Sequence, residues 1–232
     1  VHLSFIEWYG LSVTSALSNL ITPVAGGMLA RAGYLKLRYK FPISRFSALI
    51  AASYLIIFLV SGGMGLIVIL TLWLAHRRPA QWIAAGLLAA MAVAPAVVIL
   101  APLERLPLPR GGRVMQWVLA ALDGWQQIRT DSFLLVKQIG VAILLQVVQA
   151  ASLYFSLLGL GEPVPFVDTL LVGVLTTLTN FVRVTPGALG VRESVAGLAA
   201  ELVGLDAAQG LAAALISRLA RFLLMFVLGP IF

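Results

Sequence analysis

Apolar residues along this chain come in long blocks, separated by short clusters of charge, proline and glycine. Residues 46–75 and 81–101 contain no charged side chain at all. Residues 133–158 contain a single one, Lys137. Crossing roughly 30 Å of hydrocarbon takes about 20 residues of helix, so each block predicts a membrane span. Block 46–75 has a weak point at Gly62-Gly63. It is read as one long tilted span, because each half would be short for a bilayer. Pro95 predicts a kink in the second span. Residues 166–184 and the apolar stretch ending at Leu205 predict helix as well, and whether they cross or enter and return is open. Residues 206–232 predict a last apolar helix carrying Arg218 and Arg221.

The polar interruptions organise the rest. The first segment, "FIEWYGLSVTSALSNLITPVAGGMLARAGYLK", is apolar but broken at Pro23, Gly26 and Gly27. Arg31, Lys36, Arg38, Lys40 and Arg45 then make a dense basic loop, cytoplasmic by the positive-inside rule. "HRRP" (76–79) turns the chain, and "PLERLPLPRGGR" (102–113) returns it to the basic side. In 114–130, Val114, Trp117, Val118, Ala121, Leu122, Trp125 and Ile128 recur at helical spacing. Gln116, Asp123, Gln127 and Arg129 take the other face, which predicts an interfacial amphipathic helix over 114–130. Gln138, Gln146 and Gln149 are candidates for hydrogen bonds inside the bundle.

Composition narrows the class. With 61% hydrophobic and 11% charged residues, the chain lies outside the soluble range, where about 45–50% apolar is usual. Its mean hydropathy is +1.02. The expected fold is all-α: a polytopic integral membrane helical bundle, a single domain over 1–232, with broken or re-entrant helices and an internal repeat. The net charge of +7, from 16 Lys+Arg against 9 Asp+Glu, sits beside apolar spans. It therefore reads as topology signal and contact with anionic lipid, and no nucleic-acid partner is expected. There is no cysteine, and the two histidines, His2 and His76, are far apart, so no metal site, disulfide or cofactor is expected. "VHLSFIEW" lacks the basic start of a signal peptide, and the chain ends inside "FLLMFVLGPIF". A piece of a longer membrane protein is expected.

The repeat pairs "SNLITPVAGGMLARA" (18–32) with "TNFVRVTPGALGVRES" (179–194). Aligned on Pro23 and Pro186, Gly27 and Gly190 both fall four residues later. Asn19 and Asn180 precede the prolines, and Arg31 and Arg192 follow them. Paired Gly/Pro-interrupted apolar segments point to the central site of a transporter. Broken backbone survives at membrane depth only when buried in protein or lining a wet cavity. A half-helix N-terminus there offers N–H groups to an anion. Arg218 and Arg221 are three apart, on neighbouring positions of one helix face. Charges at such depth usually face the bundle interior with a partner, and Glu193, Glu201 and Asp168 are the available acids. A structural Arg–Glu pair and a cationic surface for a lipid phosphate are both open, and one arginine can pair while another binds.

"LTNFVRVTPGALGVRESVAGL", followed by "AAALISRLARFLL", resembles the lysylphosphatidylglycerol synthase/flippase transmembrane family. The family's Pro-Gly-x-x-Gly-x-Arg-Glu stretch corresponds to Pro186, Gly187, Gly190, Arg192 and Glu193, and its helical arginine to Arg218. The chain departs where the family carries charge early in the span after the basic loop, reading "FSALIAASYLIIF". It departs again at "AGGMLARA", where an acidic residue is usual. The family's aminoacyl-transferring domain lies outside these 232 residues. The resemblance implies a multi-pass protein of a bacterial or archaeal cell membrane that translocates a lipid between leaflets. The lipid would be an anionic or aminoacylated phospholipid, or a polyprenyl-phosphate-linked one. Arg192, Arg218, Arg221 and Arg31 would contact its headgroup, with Glu193, Asn19 and Asn180 assisting. Pro23, Gly26, Gly27, Pro186, Gly187 and Gly190 would break the helices. The partners implied are membrane phospholipids, and association with a second copy is open. The alternative is a structural or regulatory module anchoring a lipid-modifying enzyme such as lysylphosphatidylglycerol synthase. No catalytic residue is expected, because Glu193 has no second carboxylate at a convincing spacing and no serine has an activating His/Asp set.

Overall fold

The structure, a computed structural model, describes residues 3–22, 26–75, 82–100, 131–180, 185 and 188–228. Among these residues there is helix and no strand: α1 (Phe5–Ile21), α2 (Gly26–Tyr39), α3 (Ile43–Leu74), α4 (Trp82–Leu100), α5 (Ser132–Gly159), α6 (Phe166–Thr176), α7 (Val191–Leu202) and α8 (Ala207–Leu228). A short 3₁₀ turn, Thr177–Asn180, extends α6. The fold is thus an all-α polytopic membrane bundle. Four helices are long and apolar enough to cross a membrane, within 43–74, 82–99, 132–159 and 207–227. The interfacial helix expected over 114–130 lies outside the described residues, as do Pro23, Pro186, Gly187 and the side chain of Asn180.

The chain divides into two compact units, one of residues 1–40 and 149–232, the other of 41–148. In the second unit α3 runs unbroken through Gly62-Gly63. At 32 residues it measures about 48 Å, longer than the hydrocarbon core, so it tilts or extends into the headgroups. The two glycines have different environments. A Cβ on Gly62 would come within 2.5 Å of the Ala92 nitrogen and 2.6 Å of the Leu88 oxygen, whereas one on Gly63 would meet nothing within 4 Å. Gly62 is therefore the point where α3 and α4 touch backbone to backbone, as small residues allow in a membrane. Helix α4 continues through Pro95. Ala52, Ile56 and Ala142 form the buried centre of this unit. Beside them the buried Gln146 amide of α5 donates to the Ser61 hydroxyl, which donates in turn to the Ile57 carbonyl at 2.6 Å. Trp73 and Trp82, at neighbouring ends of α3 and α4, are exposed, where interfacial tryptophans lie.

In the other unit, α1 and α2 form a hairpin around the first helix break. The segment read as a basic loop is helical as far as Tyr39: Arg31, Lys36 and Arg38 lie on α2. Lys40, with a left-handed φ of 52°, leaves it, and Arg45 lies in the first turn of α3. Leu35 and Ala32 are buried while Lys36 and Arg38 are exposed, so an apolar face holds the helix down. Helix α5 packs its last turns on α6, where Gly173 lies in ordinary contact with Ala150. There the Gln149 amide donates to the Gly173 carbonyl and to the Thr176 hydroxyl, both at 2.6 Å. Helices α7 and α8 form a second hairpin through a turn containing Gly204 at φ 77°. Gly197 lies against the Ala207 carbonyl, and Gly210 against Ala196 and Ala200, closely enough that a Cβ at either would collide.

Candidate functional site

Both Pro/Gly segments are breaks between helices. At the first, α1 ends at Ile21 and α2 starts at Gly26. Asn19 bridges the gap, its side-chain oxygen accepting from the Gly27 N–H at 2.9 Å. A Cβ on Gly27 would come within 1.8 Å of the Ser15 carbonyl oxygen, so only glycine lets α2 begin so close to α1. Arg31 lies one turn further on, half-buried. Its Nε is buried with no hydrogen-bond partner among the described residues.

At the second break the chain turns tightly. Ala188 has a left-handed φ of 54°, and its N–H donates to the Thr185 carbonyl at 2.9 Å. The Thr185 hydroxyl donates to the Leu189 carbonyl at 2.8 Å. Gly190, at φ 85°, then starts α7, a conformation that favours glycine. Among the described residues α6 has 11 residues and α7 has 12, each well short of the roughly 20 needed to cross.

The second break brings together four charged residues, Arg192, Glu193, Arg218 and Arg221. Glu193 and Arg218 are buried, at 3% and 6% relative exposure. They form an ion pair in which the Arg218 guanidinium donates to Glu193 Oε1. The other oxygen, Oε2, accepts from the Gly190 N–H at 2.8 Å. One carboxylate therefore caps the start of α7 and holds the middle of α8 against it. The pair works only because α7 and α8 cross closely at Gly197 and Gly210, which sets the register that brings residues 193 and 218 level. The Arg218 guanidinium lies 5.5 Å from the centre of the Phe222 ring, within cation–π range.

Arg192 and Arg221 flank this pair and are half-buried. The Arg221 Nε donates to the Ser217 carbonyl at 3.1 Å. Arg192 feels the charges of Arg221 and Arg218, opposed by that of Glu193. These four side chains together carry a formal charge of +2, three arginines against one glutamate. Of the expected headgroup residues, the structure gathers Arg192, Glu193, Arg218 and Arg221 at one place, beside Gly190. Asn19, Gly26, Gly27 and Arg31 gather at the other break. Of the three acids considered for the arginines, the structure selects Glu193 for Arg218. Glu201 is exposed at the far end of α7, and Asp168 is buried in α6.

One cluster was not anticipated from the sequence. The Glu7 carboxylate accepts the hydroxyls of Tyr34 at 3.1 Å and Tyr39 at 2.9 Å, tying α1 to α2. It also accepts the Ser4 N–H at 3.2 Å, completing a capping box. That backbone bond first, then Tyr39 and Tyr34, hold the Glu7 carboxyl below the usual carboxylate range. The Ser-x-x-Glu spacing at 4–7 was readable as a helix start, but the tyrosines come from the partner helix and leave no local signal. Ser61, the partner of Gln146, was likewise hidden inside an apolar run.

Among the described residues no group of three or more His, Cys, Asp or Glu could hold a metal. No curated protein and no solved structure matches the chain significantly. One protein family does, the lysylphosphatidylglycerol synthase TM region, over residues 1–229. With the helix breaks, the Arg192-Glu193 motif and the arginine-bearing last helix all within that match, this chain belongs to the lysylphosphatidylglycerol synthase transmembrane family.

Proposed function

We propose that this protein translocates a lipid between the leaflets of a bacterial or archaeal cell membrane, the headgroup passing along the arginine cluster at the α7–α8 hairpin. The lipid is an anionic or aminoacylated phospholipid, or a polyprenyl-phosphate-linked one. Family membership supports a membrane-lipid role, and the site supports the step beyond it. One observation carries the reading: Glu193 accepts from Gly190 and Arg218, and Arg192 and Arg221 stand half-buried beside that pair. Two further cations near a neutral buried pair are expensive in hydrocarbon, where a central charge costs about 2.5–3.5 kcal/mol on insertion scales. A phosphate ligand would offset that expense by accepting paired hydrogen bonds from guanidinium.

A purely structural module, anchoring a lipid-modifying enzyme, is favoured by the Glu193–Arg218 pair taken alone, because that pair holds two helices together. The two readings separate in proteoliposomes. Headgroup-labelled phospholipid, exposed to a membrane-impermeant quencher, reports leaflet exchange. The intact protein should accelerate exchange, and Arg192→Gln and Arg221→Gln should slow it while the protein still inserts. Exchange at the empty-vesicle rate for phosphatidylglycerol, aminoacylated phosphatidylglycerol and polyprenyl phosphate alike would leave the anchoring module standing.

A further inference from the structure

The contacts of α6 fix the direction in which it runs. The Phe166 ring, at its start, lies edge-on against Tyr154 of α5, the centroids 5.9 Å apart. Further along α6, the Gly173 carbonyl and the Thr176 hydroxyl accept from Gln149, which lies further back along α5. Residue numbers rise on α6 as they fall on α5, so the two helices are antiparallel. Helix α5 is long and apolar enough to cross a membrane. Gln149 lies ten residues before its last one, Gly159, which is about 15 Å along its axis. Helix α6 therefore descends to about half the hydrocarbon thickness.

Helix α7 runs back. It lies antiparallel to α8, with Gly197 against Ala207 and Glu193 against Arg218. Gln209, in the first turn of α8, donates to Glu162 in the turn between α5 and α6. The start of α8, the end of α7 and the start of α6 thus lie at one level. Arg218 lies eleven residues into α8, about 16 Å from that level, which matches the depth of Thr176. Helices α1 and α2 repeat the arrangement. Asn19 meets Gly27 at their inner end, and Glu7 meets Tyr34 and Tyr39 at their outer end. That outer end carries the exposed Lys36, Arg38 and Lys40. Residues 159–165 and 201–209, at the outer end of α6 and α7, contain three acids, Glu162, Glu201 and Asp206, and no Lys or Arg. By the positive-inside rule, such a contrast predicts opposite faces.

We infer that residues 166–202 form a re-entrant hairpin, that α1 and α2 form a second one entering from the opposite face, and that Arg192, Glu193, Arg218 and Arg221 are thereby held near the bilayer midplane. Its use for a headgroup rests on the translocation reading above: a headgroup held there is midway between the leaflets. Helix α1 packs against α8, so the basic hairpin borders the helix that carries Arg218 and Arg221.

Single cysteines in this cysteine-free chain test the arrangement. Leu160→Cys, Glu201→Cys and Ala208→Cys, all at exposed positions, should react with an impermeant maleimide from one face of the membrane. Lys36→Cys and Arg38→Cys should react only from the other. Leu160 and Ala208 labelled from opposite faces would mean that 166–202 crosses, which overturns re-entry. All five labelled from one face would overturn the opposed pair. Depth is read by nitroxides at the lipid-exposed Leu211, Leu219 and Phe226 of α8. The label at Leu219, beside Arg218, should show the highest accessibility to oxygen relative to a water-soluble nickel complex. A label there no deeper than at Leu211 would overturn the midplane placement. Leaflet exchange measured on the unmodified protein separates the two conclusions. Opposed hairpins without exchange keep the architecture and remove translocation, whereas exchange with Leu160 and Ala208 on opposite faces does the reverse.

Discussion

At the scale of single residues, the Glu193–Arg218 pair governs the α7–α8 hairpin. Both groups are nearly inaccessible, and each satisfies the other while Glu193 also caps a helix. Removing one partner leaves a buried charge unmatched, a loss of about 3–5 kcal/mol. Replacing both by apolar residues of similar volume removes the two charges together and is often near neutral. Arg218→Met and Glu193→Leu should therefore each lower the thermal unfolding temperature in detergent, and the double variant should recover most of the loss. A double variant as unstable as the sum of the singles would mean that the two side chains do not depend on each other. This pair was legible in the sequence as two candidates, but not as a pair. Glu193, Glu201 and Asp168 were equally available until the close crossing of α7 on α8 fixed which of them lay level with Arg218.

At the scale of elements, the helices meet through glycine. Gly62 and Gly210 each allow a backbone approach that a Cβ would block, at 2.5 Å from Ala92 N and 2.4 Å from the Ala200 Cβ respectively. In lipid, helices gain little from hydrophobic exclusion and associate through close packing and hydrogen bonds, so such contacts matter more than in water. Gly62→Ala should destabilise the protein by about 1–3 kcal/mol, the usual range for overpacking. Gly63→Ala, with open space around it, should be neutral or stabilising by up to about 1 kcal/mol, the helix-propensity difference. Chemical denaturation of the two variants checks the contrast, and equal effects would show that α3 and α4 do not meet at Gly62. Sequence pattern identified Gly62-Gly63 only as a weak point in a span. It could not say which glycine faced a neighbour, because helical rotation about an apolar axis leaves no polar face to read: α3 is apolar all round.

At the scale of the whole molecule, the exposed surface is rich in large apolar side chains, among them Ile67, Leu70, Val97, Leu144 and Phe226. Such a surface suits a lipid solvent and would aggregate in water. Helices α3 and α4 are each long and apolar enough to cross a membrane, and as an out-and-back pair they predict the basic segment before them and the start of α5 on one side. The positive-inside rule predicts that side to be the cytoplasmic one. The chain has no cysteine, so single introduced cysteines report cleanly. Lys36→Cys and Ser132→Cys, both at exposed positions, should react with an impermeant maleimide in inside-out vesicles and stay protected in intact cells. Reaction from opposite sides would require an odd number of crossings between them.

The amino-acid sequence by itself determined the class of this protein, its long spans, the two helix breaks and the residues most able to carry charge chemistry. Each of these depends on local properties: apolar length against bilayer thickness, the missing donor of proline, the freedom of glycine. Tertiary structure decided what those properties could not. It turned the basic segment from loop into helix, because Ala32 and Leu35 found an apolar face to bury against. It paired Asn19 with Gly27, Glu7 with two tyrosines and Gln149 with the α6 carbonyls, all across gaps in the chain. Above all it assigned Glu193 to Arg218, leaving Arg192 and Arg221 beside a neutralised pair. Charge balance at a site depends on which side chains face each other across packed helices, and that follows from rotation and register, which no single segment encodes.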